Sequence, residues 1–118
     1  MENYKKLIVW QKSMLLVKET YRLLRFMPKY ENYSLSDQMR RSVVSIPSNI
    51  AEGAGRNSSK EFAHFLSIAR GSRYELETQL LICIELNYLS EEQCKEVFAL
   101  INEVGKILNG FIKKLNLQ

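Results

Sequence analysis

Apolar residues recur at alternating steps of three and four along most of the chain, and no stretch alternates in the two-residue period of a strand. A stripe of that period marks one face of a helix, and a helix with one apolar face must bury it against other elements. Two prolines and five glycines in 118 residues are too few for the turns of a sandwich or barrel. The pattern predicts an all-α chain forming one antiparallel up-down four-helix bundle across residues 1–118.

The first helix is expected from about Ile8 to Met27, with Leu7, Trp10, Met14, Val17, Tyr21 and Leu24 on its inner stripe and Pro28 ending it. The second opens at Ser34, with Asp37 three residues on as a weak capping box. It carries Leu35, Met39, Val43, Ile46 and Ile50, is expected to kink at Pro47, and breaks at Gly53-Ala54-Gly55. Asn57-Ser58-Ser59 supplies caps for a third helix from about Ser59 to Leu89. Its stripe is Phe62, Leu66, Ala69, Leu76, Leu80 and Cys83, widened by Phe65, Ile68, Ile82 and Leu86, and it should continue through Gly71-Ser72. Ser90 is the expected N-cap of a fourth helix bearing Val97, Ile101, Val104, Leu108, Phe111 and Leu115. The stripes on the first and fourth helices, Trp10 and Phe111 included, exceed what one small bundle hides, which points to a homo-oligomer.

Several functional classes are disfavoured. No run approaches the roughly 18 apolar residues of a membrane span, and Met1 to Lys6 carry no apolar signal core. A cytoplasmic protein without membrane association is therefore expected. Cys83 and Cys94 are too few for a disulfide framework or a zinc set and read as reduced, buried thiols. The single histidine, His64, has no Asp or Cys spacing that would give a triad. Glu61-x-x-His64 matches half of a bundle metal motif and finds no second copy. No catalytic residue, cofactor or metal is expected, and the chain reads as a binder and not an enzyme.

Charge carries more information. The net charge is +4 and the pI about 9.1. Residues 38–73 hold six basic and two acidic residues, whereas residues 74–118 are net acidic. The six are Arg40, Arg41, Arg56, Lys60, Arg70 and Arg73; five are arginines, whose planar fork suits phosphate or carboxylate. Gln38, Arg41, Ser45, Asn49, Glu52 and Arg56 follow at helical spacing as a polar stripe. Two readings stand side by side. Ser45, Asn49, Glu52 and Glu75 form a partly buried structural network with the arginines, or the six cations form an anion-binding patch for nucleic-acid phosphates.

The segment from Gln38 to Arg56, with its S-I-P-S-N-I-A-E-G-A-G-R string, joins Ala69-Arg70-Gly71-Ser72 and Glu75-Leu76 in resembling bacterial four-helix-bundle proteins encoded within 23S rRNA intervening sequences. The resemblance spans nearly the whole chain. It implies an antiparallel bundle assembling into a ring, a homopentamer, and it extends to the accessory protein of diversity-generating retroelements, a basic pentameric ring implicated in binding nucleic acid and a reverse transcriptase. The motif maps onto Arg40, Arg41, Ser45, Asn49, Glu52, Gly53, Arg56, Arg70, Gly71, Ser72 and Glu75. Arg73-Tyr74 departs from it, where small or apolar residues are expected, and adds positive charge. The resulting expectation is a non-catalytic oligomer that binds RNA through the arginine-rich patch. The alternative is an adaptor whose arginines meet an acidic protein, such as a reverse transcriptase or a ribosome-associated protein.

Overall fold

The computed structural model describes residues 3–118; the reading of Met1 and Glu2 lies outside them. After a 3-10 turn at Tyr4–Lys6 come α1 (Ile8–Leu24), a second 3-10 turn at Lys29–Glu31, α2 (Leu35–Ala54), α3 (Ser59–Glu85) and α4 (Glu91–Asn116). Each helix packs on two others, in the cyclic order α1, α2, α3, α4, so α1 lies diagonally across from α3 and α2 from α4. The result is a rod 45 Å long and 23 × 20 Å across.

The stripes expected for α2, α3 and α4 supply most of the core. Met39, Val43, Ile46, Ile50, Leu66, Leu76, Leu80, Ile101, Val104 and Leu108 are completely buried. Burying each such side chain contributes about 1.5–3 kcal/mol. Phe111 is half-buried and meets Phe62 edge-on, with ring centroids 5.0 Å apart. The helix α2 runs unbroken through Pro47, which is itself buried.

The phase of α1 differs from expectation. Its core side carries Val9, Ser13, Leu16, Thr20 and Leu23, while Met14 and Tyr21 are exposed and Trp10, Val17 and Leu24 only partly covered. Ser13 and Thr20 occupy core positions, and the Thr20 hydroxyl has no partner there. Ser13 satisfies itself by donating to the Trp10 carbonyl at 2.8 Å. Along α3, Ile68, Ile82 and Leu86 likewise face outward instead of widening the core stripe.

Helix ends explain the other departures. Residues 25–27 leave α1 early, each amide bonding three residues back instead of four. Ser34 does not cap α2. Glu31 performs that task, accepting the Leu35 amide at 3.3 Å, the Ser34 hydroxyl and the Tyr88 phenol at 2.8 Å. One carboxylate thus ties the start of α2 to the α3–α4 loop. That loop begins earlier than expected because Asn87 takes a left-handed conformation, φ 61°, which ends α3. Ser58 and Ser90 cap α3 and α4 as expected, the latter in a full capping box with Gln93.

Glycines at helix contacts set how close the helices come. A Cβ on Gly53 would lie 2.8 Å from the Phe65 Cβ and 2.9 Å from the Phe62 ring, so Gly53 is a contact residue inside α2. A Cβ on Gly71, in contrast, would meet open space.

Two predictions follow from these contacts. In urea unfolding, Gly53→Ala should destabilise by about 1–3 kcal/mol through overpacking, while Gly71→Ala should stabilise by about 0.5–1 kcal/mol through helix propensity. The donors on Glu31, the Ser34 hydroxyl foremost, hold its carboxyl below the usual glutamate range. A depressed folded value means that this stabilisation is complete above the unfolded value of about 4.3 and fades as pH falls through the folded one. The stability gap between wild type and Glu31→Gln should therefore stay constant from pH 7 to pH 5 and shrink below about pH 4.

Candidate nucleic-acid interface

The six basic residues of the middle third do not converge on one patch. Arg40 and Arg41 lie in the first half of α2. The Arg40 guanidinium donates to the Asn32 carbonyl at 2.7 Å, and Arg41 pairs with Asp37 at 3.0 Å while remaining 80% exposed. Arg70 and Arg73 lie mid-way along α3 and turn toward α4. Arg70 donates to the Asn109 side chain at 3.1 Å. Arg56 and Lys60 flank the α2–α3 corner. There Arg56 pairs with Glu52 at 2.9 Å and lies over the Phe65 ring at 4.8 Å.

Arg73 corrects the expectation most sharply. It is 9% exposed; its Nε donates to the Ile101 carbonyl at 2.8 Å, and its Nη1 is buried without a protein partner. Gly105 makes room for it, because a Cβ there would fall 2.2–2.5 Å from the guanidinium. The positive charge that Arg73 adds therefore sits in the α3–α4 seam and is not offered to solvent.

The expected buried network also takes a different form. Ser45 and Ser72 hydrogen-bond across the helix pair at 2.8 Å, and the Asn49 amide donates to the Ser45 carbonyl at 2.8 Å and hydroxyl at 2.9 Å. Glu52 and Glu75, however, are exposed, and Glu52 meets only Arg56, one turn along its own helix. The reason is angular: both glutamates lie on the outward side of their helices. Gln38, Arg41, Ser42, Ser45, Ser72, Glu75 and Gln79 line an open polar cleft of about 250 Å³ there.

The antiparallel topology brings together a different set of cations. The Tyr4–Lys6 turn packs on α2 near its C-terminus, and Ser59 bonds Gln118, so the chain start, the α2–α3 corner and the end of α4 share one end of the rod. Lys5, Lys6, Arg56, Lys60, Lys113 and Lys114 are all exposed there. Among the described residues only Arg56 of these six has an ion pair. Grouping charge by sequence thirds missed this set because it assigned Lys113 and Lys114 to an acidic third. The up-down order of the helices was the signal that could have found it.

Little else in the molecule offers chemistry. Cys83 and Cys94 are free and buried, and burial pushes the Cys83 thiol up to about 11. The Cys83 sulfur packs 3.6–3.7 Å from those of Met39 and Met27. His64 is exposed beside Phe65. Among the described residues, no three His, Cys, Asp or Glu side chains are grouped to hold a metal, and no helix is long and apolar enough to cross a membrane.

The architecture defines an antiparallel four-helix-bundle protein with exposed cations at both ends of the rod, six of them where α2 and α4 finish. The model of the 23S rRNA-intervening sequence protein family matches residues 5–110, and the chain belongs to that family. It is also similar to the crystal structure of a protein of unknown function from the S23 ribosomal protein family of Bacteroides thetaiotaomicron VPI-5482. Identity is 29% and the TM-score 0.83, over 90% of this chain and 99% of that one. A search of curated proteins finds no match.

Because Glu52 and Glu75 are solvated, Glu52→Ala and Glu75→Ala should each change stability by no more than about 0.5 kcal/mol. A loss of about 3 kcal/mol or more in urea unfolding would mean that a buried charge had been stranded after all.

Proposed function

We propose that this protein is a non-catalytic, cytoplasmic homo-oligomer that binds nucleic acid, with RNA as the favoured ligand. The observation that carries the reading is the uncommitted charge. Of 17 Lys and Arg residues, only five pair with a carboxylate among the described residues, which leaves a basic surface able to release counterions from a phosphate backbone. Membership of a family tied to 23S rRNA intervening sequences favours RNA over DNA. Arg41, Arg56 and Lys60 are exposed for such contacts, Arg40 and Arg70 would first have to leave Asn32 and Asn109, and Arg73 the Ile101 carbonyl.

Assembly is supported by two separate apolar faces. The outward side of α1 exposes Ile8, Met14, Leu15 and Tyr21, and that of α3 exposes Ile68, Tyr74, Leu81 and Ile82. They lie on diagonal corners of the bundle. Two different faces on opposite corners suit a head-to-tail contact, in which α1 of one copy meets α3 of the next; such a contact closes into a ring when each copy is rotated against the last by a whole fraction of a turn. A ring of five, which the family resemblance implies, would carry about +20 and gain affinity through repeated weak sites.

Light scattering should return a mass several times 13.8 kDa at micromolar concentration. Met14→Glu/Tyr21→Glu and Tyr74→Glu/Leu81→Glu should each be monomeric alone. Mixed together they should form a dimer, since one intact α1 face and one intact α3 face remain. A wild-type monomer would rule out the assembly, and mutants that stay apart on mixing would rule out the head-to-tail contact. Binding should weaken as salt rises and be competed by free RNA. Binding that resists both and follows an acidic protein instead would point to the adaptor function.

A further inference from the structure

We infer that the phosphate-contacting surface is the basic end of the rod, formed by Lys5, Lys6, Arg56, Lys60, Lys113 and Lys114, and not the arginines scattered along α2 and α3. This rests on the nucleic-acid reading above and gives it a location. The six side chains come from four separate segments that the topology brings to one end, within a cross-section of 23 × 20 Å. For scale, even B-form DNA carries one phosphate charge per roughly 1.7 Å of axis, about a dozen over 20 Å, and an RNA duplex likewise offers phosphates along its backbone. The surface and the ligand therefore match in scale and in sign.

Side chains set the sign of this end, because its helix termini offset one another: α1 and α3 start there and α2 and α4 finish there. Among the described residues, the acidic side chains facing the same region are Glu52 and Glu61. Glu52 is taken up by Arg56, and Glu61 lies in the first turn of α3, where its amide donates to the Ser58 hydroxyl. The cations elsewhere are engaged or offset. Arg25, Lys29 and Lys95 at the opposite end are exposed and unpaired among the described residues, but Glu19, Glu91, Glu92 and Glu96 lie at that end with them. Arg40 and Arg41 share Asp37, Arg70 is bonded to Asn109, and Arg73 is buried. Five of the six groups at the basic end are lysines, mobile point charges without the fork that reads a base edge. The surface thus suits the phosphate backbone of RNA in a manner indifferent to sequence.

The test compares two triple variants with equal loss of charge. One is Lys60→Gln/Lys113→Gln/Lys114→Gln at the basic end. The other is Arg25→Gln/Lys29→Gln/Lys95→Gln at the opposite end, where Glu91 and Glu92 lie. The full-length assembled protein is titrated with a structured RNA of fixed sequence and with an unrelated one, from 50 to 200 mM salt, after thermal melts and light scattering show that fold and assembly persist. The basic-end triple should flatten the plot of log K against log salt by about 2 to 3 per site, at 0.7–0.9 per lost contact, for both RNAs. The far-end triple should leave the slope unchanged. Equal loss in both triples would show diffuse attraction and overturn the location while leaving nucleic-acid binding intact. No RNA binding by the wild type at 50 mM salt would remove the underlying reading and this inference with it.

Discussion

The close approach of α2 and α3 is the contact on which the rest of the structure depends. Gly53 lies against Phe62 and Phe65, and Ser45 bonds Ser72 across the same pair. Small residues at these points draw the two helices together, so the larger side chains beside them, such as Ile46, Ile50, Leu66 and Leu76, can fill the interior without a gap. This pairing places the α2–α3 corner at the end of the rod where the chain starts and α4 finishes. The charge distribution then follows from the fold.

Much of the fold was legible because α2, α3 and α4 mark their core positions with large aliphatic residues. The helix α1 does not. Ser13 and Thr20 occupy buried positions, and a pattern scored on large apolar residues slid by one position onto Trp10, Met14, Val17 and Tyr21. That stripe runs along the edge of the core: Trp10 and Val17 pack partly against it, while Met14 and Tyr21 are exposed. The excess apolar surface expected on the first and fourth helices lies instead on α1 and α3, because the α4 stripe is buried and Phe111 packs on Phe62. Gly53 was read as a helix stop, since nothing in the chain reveals that Phe62 and Phe65 will press on it.

The candidate site was less legible, for a reason of topology. Charge counted along the chain groups residues that are neighbours in sequence, but an antiparallel bundle makes neighbours of residues about fifty positions apart. Lys60 and Lys113 share an end of the rod, whereas Arg56 and Arg40 lie more than four helical turns apart. The buried network failed on a finer scale. Ser45 bonds Ser72 on α3 and Asn49 bonds back to Ser45, while Glu52 and Glu75, a short rotation away on their helices, emerge into water. Arg73 was missed because its place in the seam depends on the side chain that α4 lacks at Gly105.

The small bundle hides one apolar stripe per helix, and the proposed function gives its two further apolar faces to copies of itself and its basic surface to nucleic acid. The most direct measurement is the native mass of the protein purified at low salt, taken before and after a high-salt wash. The account predicts a homo-oligomer carrying co-purified RNA that the wash removes, leaving the protein assembly intact. A 13.8 kDa species free of nucleic acid in both samples would contradict it.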